Sequence, residues 1–61
     1  MPANLKVWIV VIEPYGAGKS GGVDHVFYRE DDAQSRKNEL NDKYARLQMD
    51  QYAYVAERNV F

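Results

Sequence analysis

The chain has 61 residues, no cysteine and a net charge of −1. That length makes one domain, and the missing thiols exclude disulfides and thiolate metal sites. Eight Lys and Arg set against nine Asp and Glu give no basic footprint for nucleic acid or anionic lipid. The longest apolar run is about half of the ~18 residues that a membrane span needs, and no signal-peptide pattern is expected at the N-terminus. A single core of this size rarely supplies more than ~3–5 kcal/mol, so a binding partner is a natural source of further stability. The Cys-free composition fits a reducing compartment, and a cytoplasmic location is expected.

The first element, about 5–13, opens with Leu-Lys-Val-Trp-Ile-Val-Val-Ile. Branched side chains lose χ1 freedom in a helix and suit a pleated surface, so this stretch is a strand. Alternation puts Leu5, Val7, Ile9 and Val11 on one face, and Lys6, Trp8, Val10 and Ile12 on the other. Both faces are apolar, which places the strand at the centre of a sheet. Pro14 cannot donate to a ladder and biases Glu13 to extended geometry, so the strand ends there.

Gly16-Ala17-Gly18-Lys19-Ser20-Gly21-Gly22 follows, a glycine-rich loop. Gly18-Lys19-Ser20 invites a phosphate-loop reading with Lys19 and Ser20 as contacts. That motif needs a glycine five residues before Gly18 and a helix after Ser20. Glu13 stands at the first place and Gly21-Gly22-Val23 at the second, so a hairpin loop is the better reading. A second strand, about 23–29, is aromatic and β-branched and starts after the glycines. His25 is the only histidine, and no second His or Cys exists for a metal site or a nucleophilic triad. No metal, cofactor, catalytic residue or small-molecule substrate is expected, and the chain reads as a non-enzyme.

Glu30-Asp31-Asp32 suits the positive end of a helix dipole, with Asp31 as N-cap and Gln34 completing a capping box. The helix runs over about 32–48. Ala33, Leu40, Tyr44 and Leu47 form a narrow apolar stripe. Asp32→Arg36, Glu39→Lys43 and Asp42→Arg46 are acid-first i,i+4 pairs on the solvated side. A third strand, about 52–60, follows. Tyr52, Tyr54 and Ala56 share one of its faces, and Ala53, Val55 and Glu57 share the other. Phe61 is apolar and is expected to pack on the core or against a partner.

These elements give an α+β fold, ββαβ. The most apolar strand belongs in the middle, which predicts a fully antiparallel sheet of order 2-1-3 with the helix across one face. A parallel second–third pairing in order 1-2-3 is the alternative. Small residues suit the space beneath a helix, so Val7, Ile9, Val11, Ala53 and Val55 are expected there. Trp8, Val10, Ile12, Tyr52 and Tyr54, with Tyr28, are then left on the open face. Contiguous exposed apolar surface marks interaction sites, and Trp and Tyr dominate binding hot spots. Simple tolerance of exposure by the tyrosines and self-association through this face are the competing readings. Single-stranded nucleic acid could stack there, but the scattered basic residues argue against it.

Leu5 to Val11, Val26-Phe27-Tyr28, Asp31-Asp32-Ala33 and Tyr52 to Glu57 together resemble short bacteriophage proteins. Those have a Val-rich opening strand, a hairpin, a helix entered through an acidic-Ala step and a closing aromatic strand. The resemblance spans nearly the whole chain and rests on pattern, and the glycine-rich loop departs from it. It implies a phage or prophage product in the bacterial cytosol that binds and modulates or inhibits a host enzyme or immune complex. The alternatives are a structural homodimer formed through the sheet, and a nucleotide- or phosphate-binding protein using the Gly-rich loop.

Overall fold

The computed structural model describes residues 5–16 and 21–60. It has β1 (Lys6–Pro14), β2 (Gly22–Phe27), α1 (Glu30–Arg46) and β3 (Gln51–Asn59). The sheet order is β2-β1-β3 with both pairings antiparallel. The fold is therefore the ββαβ arrangement that the apolar first strand demanded. Among the described residues, no helix is long and apolar enough to cross a membrane.

β1 and β3 pair without interruption, from Lys6 opposite Asn59 to Pro14 opposite Gln51. Hydrogen bonds at the two ends, Val60 N–H to Leu5 O (2.7 Å) and Tyr15 N–H to Asp50 O (3.1 Å), continue the ladder. They fix its phase. Odd-numbered residues of β1 bond to even-numbered residues of β3, so the backbone polar groups of even β1 residues point toward β2. Pro14 is one of these. Its missing N–H would face beyond the end of β2, which stops pairing at Ile12 opposite Gly22. A proline thus closes the central strand without costing a ladder bond.

The same register decides the faces. Residues opposite one another share a face, so Val10 goes with Val55, and Ile12 with Ala53. Helix α1 covers this side. Its core is Val10, Ala33, Leu40, Tyr44 and Ala53, with Trp8, Ile12, Phe27 and Val55 packed at the margin. Val10 and Ala33 are completely buried. This overturns the expectation that Trp8, Val10 and Ile12 lie on the open face and that Val7, Ile9 and Val11 lie under the helix. The small residue that allows close approach is on the helix, Ala33, so the strand beneath can carry the larger side chains. The Trp8 indole Nε1–H is buried with no hydrogen-bond partner among the described residues.

The helix starts two residues earlier than the capping pattern predicts. Arg29 is the N-cap in extended geometry with no side-chain cap bond, and Asp31 sits in the first turn with Glu30 and Asp32. The acidic cluster still opposes the dipole. β2 correspondingly ends at Phe27 rather than near Arg29. The helix ends in a Schellman turn. Met49 N–H donates to Tyr44 O (2.8 Å), Gln48 N–H to Ala45 O (3.3 Å), and Gln48 takes the left-handed φ of 54°.

Arg36 does not pair with Asp32. Its Nε and Nη2 donate to Asp24 of β2 at 2.8 and 3.2 Å, and its Nη1 donates to Glu39 at 3.0 Å. Of the three expected helix pairs, Asp42–Arg46 is formed at 3.2 Å.

Candidate functional site: the open face of the sheet

The uncovered face is built from three short rows. The central row is Val7, Ile9 and Val11. Beside it on β3, Arg58, Ala56 and Tyr54 stand opposite these three. On β2, Val26 stands opposite Ile9, and Val23 opposite Val11. Simple alternation would send Val23 and Val26 to opposite faces. A β-bulge at Val10/Val11 supplies the extra residue that brings both to the open side. Asp24, at the bulge, is the residue Arg36 clamps.

A bent row of tyrosine rings runs along the β3 side. Tyr15 and Tyr52 have centroids 5.0 Å apart, and Tyr52 and Tyr54 6.0 Å apart. Leu5 and Val60 extend the apolar surface at the far end, and both are exposed. Glu13, opposite Tyr52, and Arg58 are the charged residues within these rows. The molecule is a slab of 46 × 25 × 10 Å. That thickness matches one helix layer on one sheet, with nothing among the described residues layered on the other side.

Tyr52 and Tyr54 therefore stand where the sequence placed them, on the open face. Tyr28 is highly exposed, just past the end of β2. Trp8, Val10 and Ile12 are on the helix side and do not join these residues. Lys19, Ser20 and Phe61 lie outside the described residues. Sequence reasoning missed Val23 and Val26, because a bulge leaves no simple periodic trace. It also missed Tyr15, which follows the proline that ends the strand.

The electrostatics lie on the helix side and the edges. The Arg36 guanidinium holds the Asp24 carboxyl below its usual pKa, against the opposing effect of burial. Hydrogen bonds to Asp24 and Glu39 push Arg36 upward in turn. Lys6 is raised by its hydrogen bond to Glu57, at 2.7 Å. His25 is exposed and stacks on Phe27 at 5.2 Å. Among the described residues no group of three His, Cys, Asp or Glu is placed to hold a metal ion.

A shallow cleft of about 390 Å³ lies between α1 and the start of β3, lined by Tyr15, Asn41, Tyr44, Met49 and Tyr52 among others. Asn41 is committed to the backbone there. Its Nδ2 donates to Ala53 O at 3.0 Å, and its Oδ1 accepts from Ala53 N–H at 2.8 Å. No family model, curated protein or solved structure matches this chain.

Proposed function

We propose that this protein is a non-enzymatic binding protein that engages another protein through the open face of its sheet. The single observation behind this is that the face is apolar over its whole centre and no element of the described chain lies across it. Three adjacent strands of up to nine residues present on the order of 400 Å², the size of patch that is often functional on a small protein. Tyr52 and Tyr54 supply large rigid rings with polar tips, the side chains that most often anchor interfaces. The resemblance to phage products makes the partner a bacterial host protein or immune complex, bound in the cytosol and modulated by being covered.

The test is capture from a bacterial lysate with the intact chain, read by mass spectrometry and repeated with three variants. Tyr54→Asp and Val26→Asp should fold and lose the captured protein. Lys43→Glu, on the exposed helix surface, should retain it. Retention by both face variants, with loss on Lys43→Glu, would move the binding site to the helix and end this reading.

A further inference from the structure

The cleft between α1 and the start of β3 lies beside the open face and shares two rings with it, Tyr15 and Tyr52. Tyr44, in the last turn of α1, brings a third ring from the helix side. Tyr44 is buried and held in the core, whereas Tyr15 is exposed. The Tyr15 backbone is tied down, its N–H donating to Asp50 O at 3.1 Å. Its ring leans on that of Tyr52 with centroids 5.0 Å apart and planes 42° apart, so the pair opens as a V instead of stacking flat. Met49 adds a soft, polarisable thioether to the lining. At about 390 Å³ the cleft falls within the size range of small-ligand sites.

The lining selects both the charge and the chemistry of an occupant. Aromatic faces carry the negative side of the ring quadrupole and attract cations. Tyr44 and Ala45 belong to the last turn of α1, so the cleft also adjoins the negative end of the helix dipole. Asp50, exposed between the lining residues Met49 and Gln51, adds a carboxylate nearby. Neither base of the last turn lines the cleft, and Arg46 is turned to Asp42 at 3.2 Å. All of this favours a cation over an anion. The polar lining is sparse, however. The Asn41 amide is spent on Ala53, which leaves Gln51 as the other amide side chain, and no carboxylate lines the cleft. An ordinary ammonium would leave N–H groups there without the partners it has in water, which costs free energy. A quaternary ammonium has no N–H to satisfy, and its methyl groups pack against rings and thioether.

We propose that this cleft binds a trimethylammonium group, as carried by choline, with its charge held by the faces of Tyr15, Tyr44 and Tyr52. Neither Val26 nor Tyr54 lines the cleft, so the outcome is independent of whether the open face captures a protein.

The probe is choline chloride, titrated into the intact chain while backbone amide shifts are followed. Ala45, Met49 and Gln51 should shift saturably with choline and stay still in sodium chloride of equal ionic strength. 3,3-Dimethylbutan-1-ol has choline's shape with carbon in place of nitrogen, and should bind roughly tenfold more weakly or less. Tyr15→Leu removes an exposed ring on which the core does not rest, and should weaken choline binding about tenfold. Tyr15→Phe should restore it. Sedimentation with phosphatidylcholine vesicles separates the two sources of the group. Protein left in the supernatant assigns a free ligand, and protein that pellets and is released by tetramethylammonium chloride assigns a lipid headgroup. No saturable shift with choline would overturn the proposal. Equal binding of the neutral isostere, or wild-type affinity in Tyr15→Leu, would do so as well.

Discussion

The two faces of β1 carry nearly the same side chains and meet different fates. Val10 and Ile12 lie beneath the helix; Val7, Ile9 and Val11 lie on the bare side. Yet Val7 is only 9% exposed, with no helix above it. The flanking strands shield a central residue laterally, so what remains accessible on the open face sits on its flanks. Val23 is 63% exposed, Val26 50% and Tyr54 38%. Burial on this sheet thus comes in two kinds, from above on one face and from the sides on the other. A partner on the open face gains mainly from the flanking residues, which makes Val26 and Tyr54 better probes of binding than the central row.

The sharpest way to break this comparison is to place the same charge on each face. Val10→Asp buries a carboxylate in an apolar core, a cost of several kcal/mol that matches or exceeds the ~3–5 kcal/mol a domain of this size possesses. Circular dichroism should show an unfolded chain. Val26→Asp should stay folded, with a urea midpoint close to the wild type. If both variants unfold, the open face is covered by something structural.

The next effect concerns the β1–β2 hairpin that carries Val23 and Val26. A Cβ on Gly21 would run into the Ile12 carbonyl oxygen, whereas one on Gly22 would meet open space. Gly21→Ala should cost about 1–3 kcal/mol by overpacking, and Gly22→Ala much less. Urea denaturation of the pair separates them. Equal losses would mean that Gly21 does not approach β1 closely.

A smaller effect, of opposite sign, tests the turn that sets the β3 register. Gln48 holds a left-handed φ of 54° that a side chain disfavours. Gln48→Gly should raise stability by up to about 1 kcal/mol, read as a higher thermal midpoint with unchanged helix content.

The smallest effect is pH dependence from the bulge clamp. Arg36 lowers the folded-state pKa of Asp24. A group with a lowered folded pKa contributes stability above its unfolded value of about 3.9, and that contribution fades as pH falls through the folded value. Stability should therefore decline below about pH 4. Asp24→Asn should flatten the decline and lower stability at neutral pH.

Much of the fold was legible in the residues. An eight-residue stretch apolar on both sides can only be a central strand. The acidic start of the helix and its Ala33–Leu40–Tyr44 stripe were equally plain. The candidate face was half legible. Tyr52 and Tyr54 declare their shared side by alternation, but Trp8, Val10 and Ile12 were assigned to the wrong partners. Asp24 and Arg36 gave no local sign of their pairing, because twelve residues of chain separate them and Arg36 had a plausible nearer partner in Asp32.

The sequence by itself determined the elements, the antiparallel order and the presence of one uncovered apolar side. Tertiary structure decided which side that is. Side chains alternate with a period of two, so a one-residue change in how β3 meets β1 exchanges every residue between faces. With both faces of β1 apolar, composition expresses no preference between the two registers. The choice fell to the fit of Val10 and Ile12 under Ala33 and Leu40, and to a helix-ending turn that delivers Ala53 opposite Ile12.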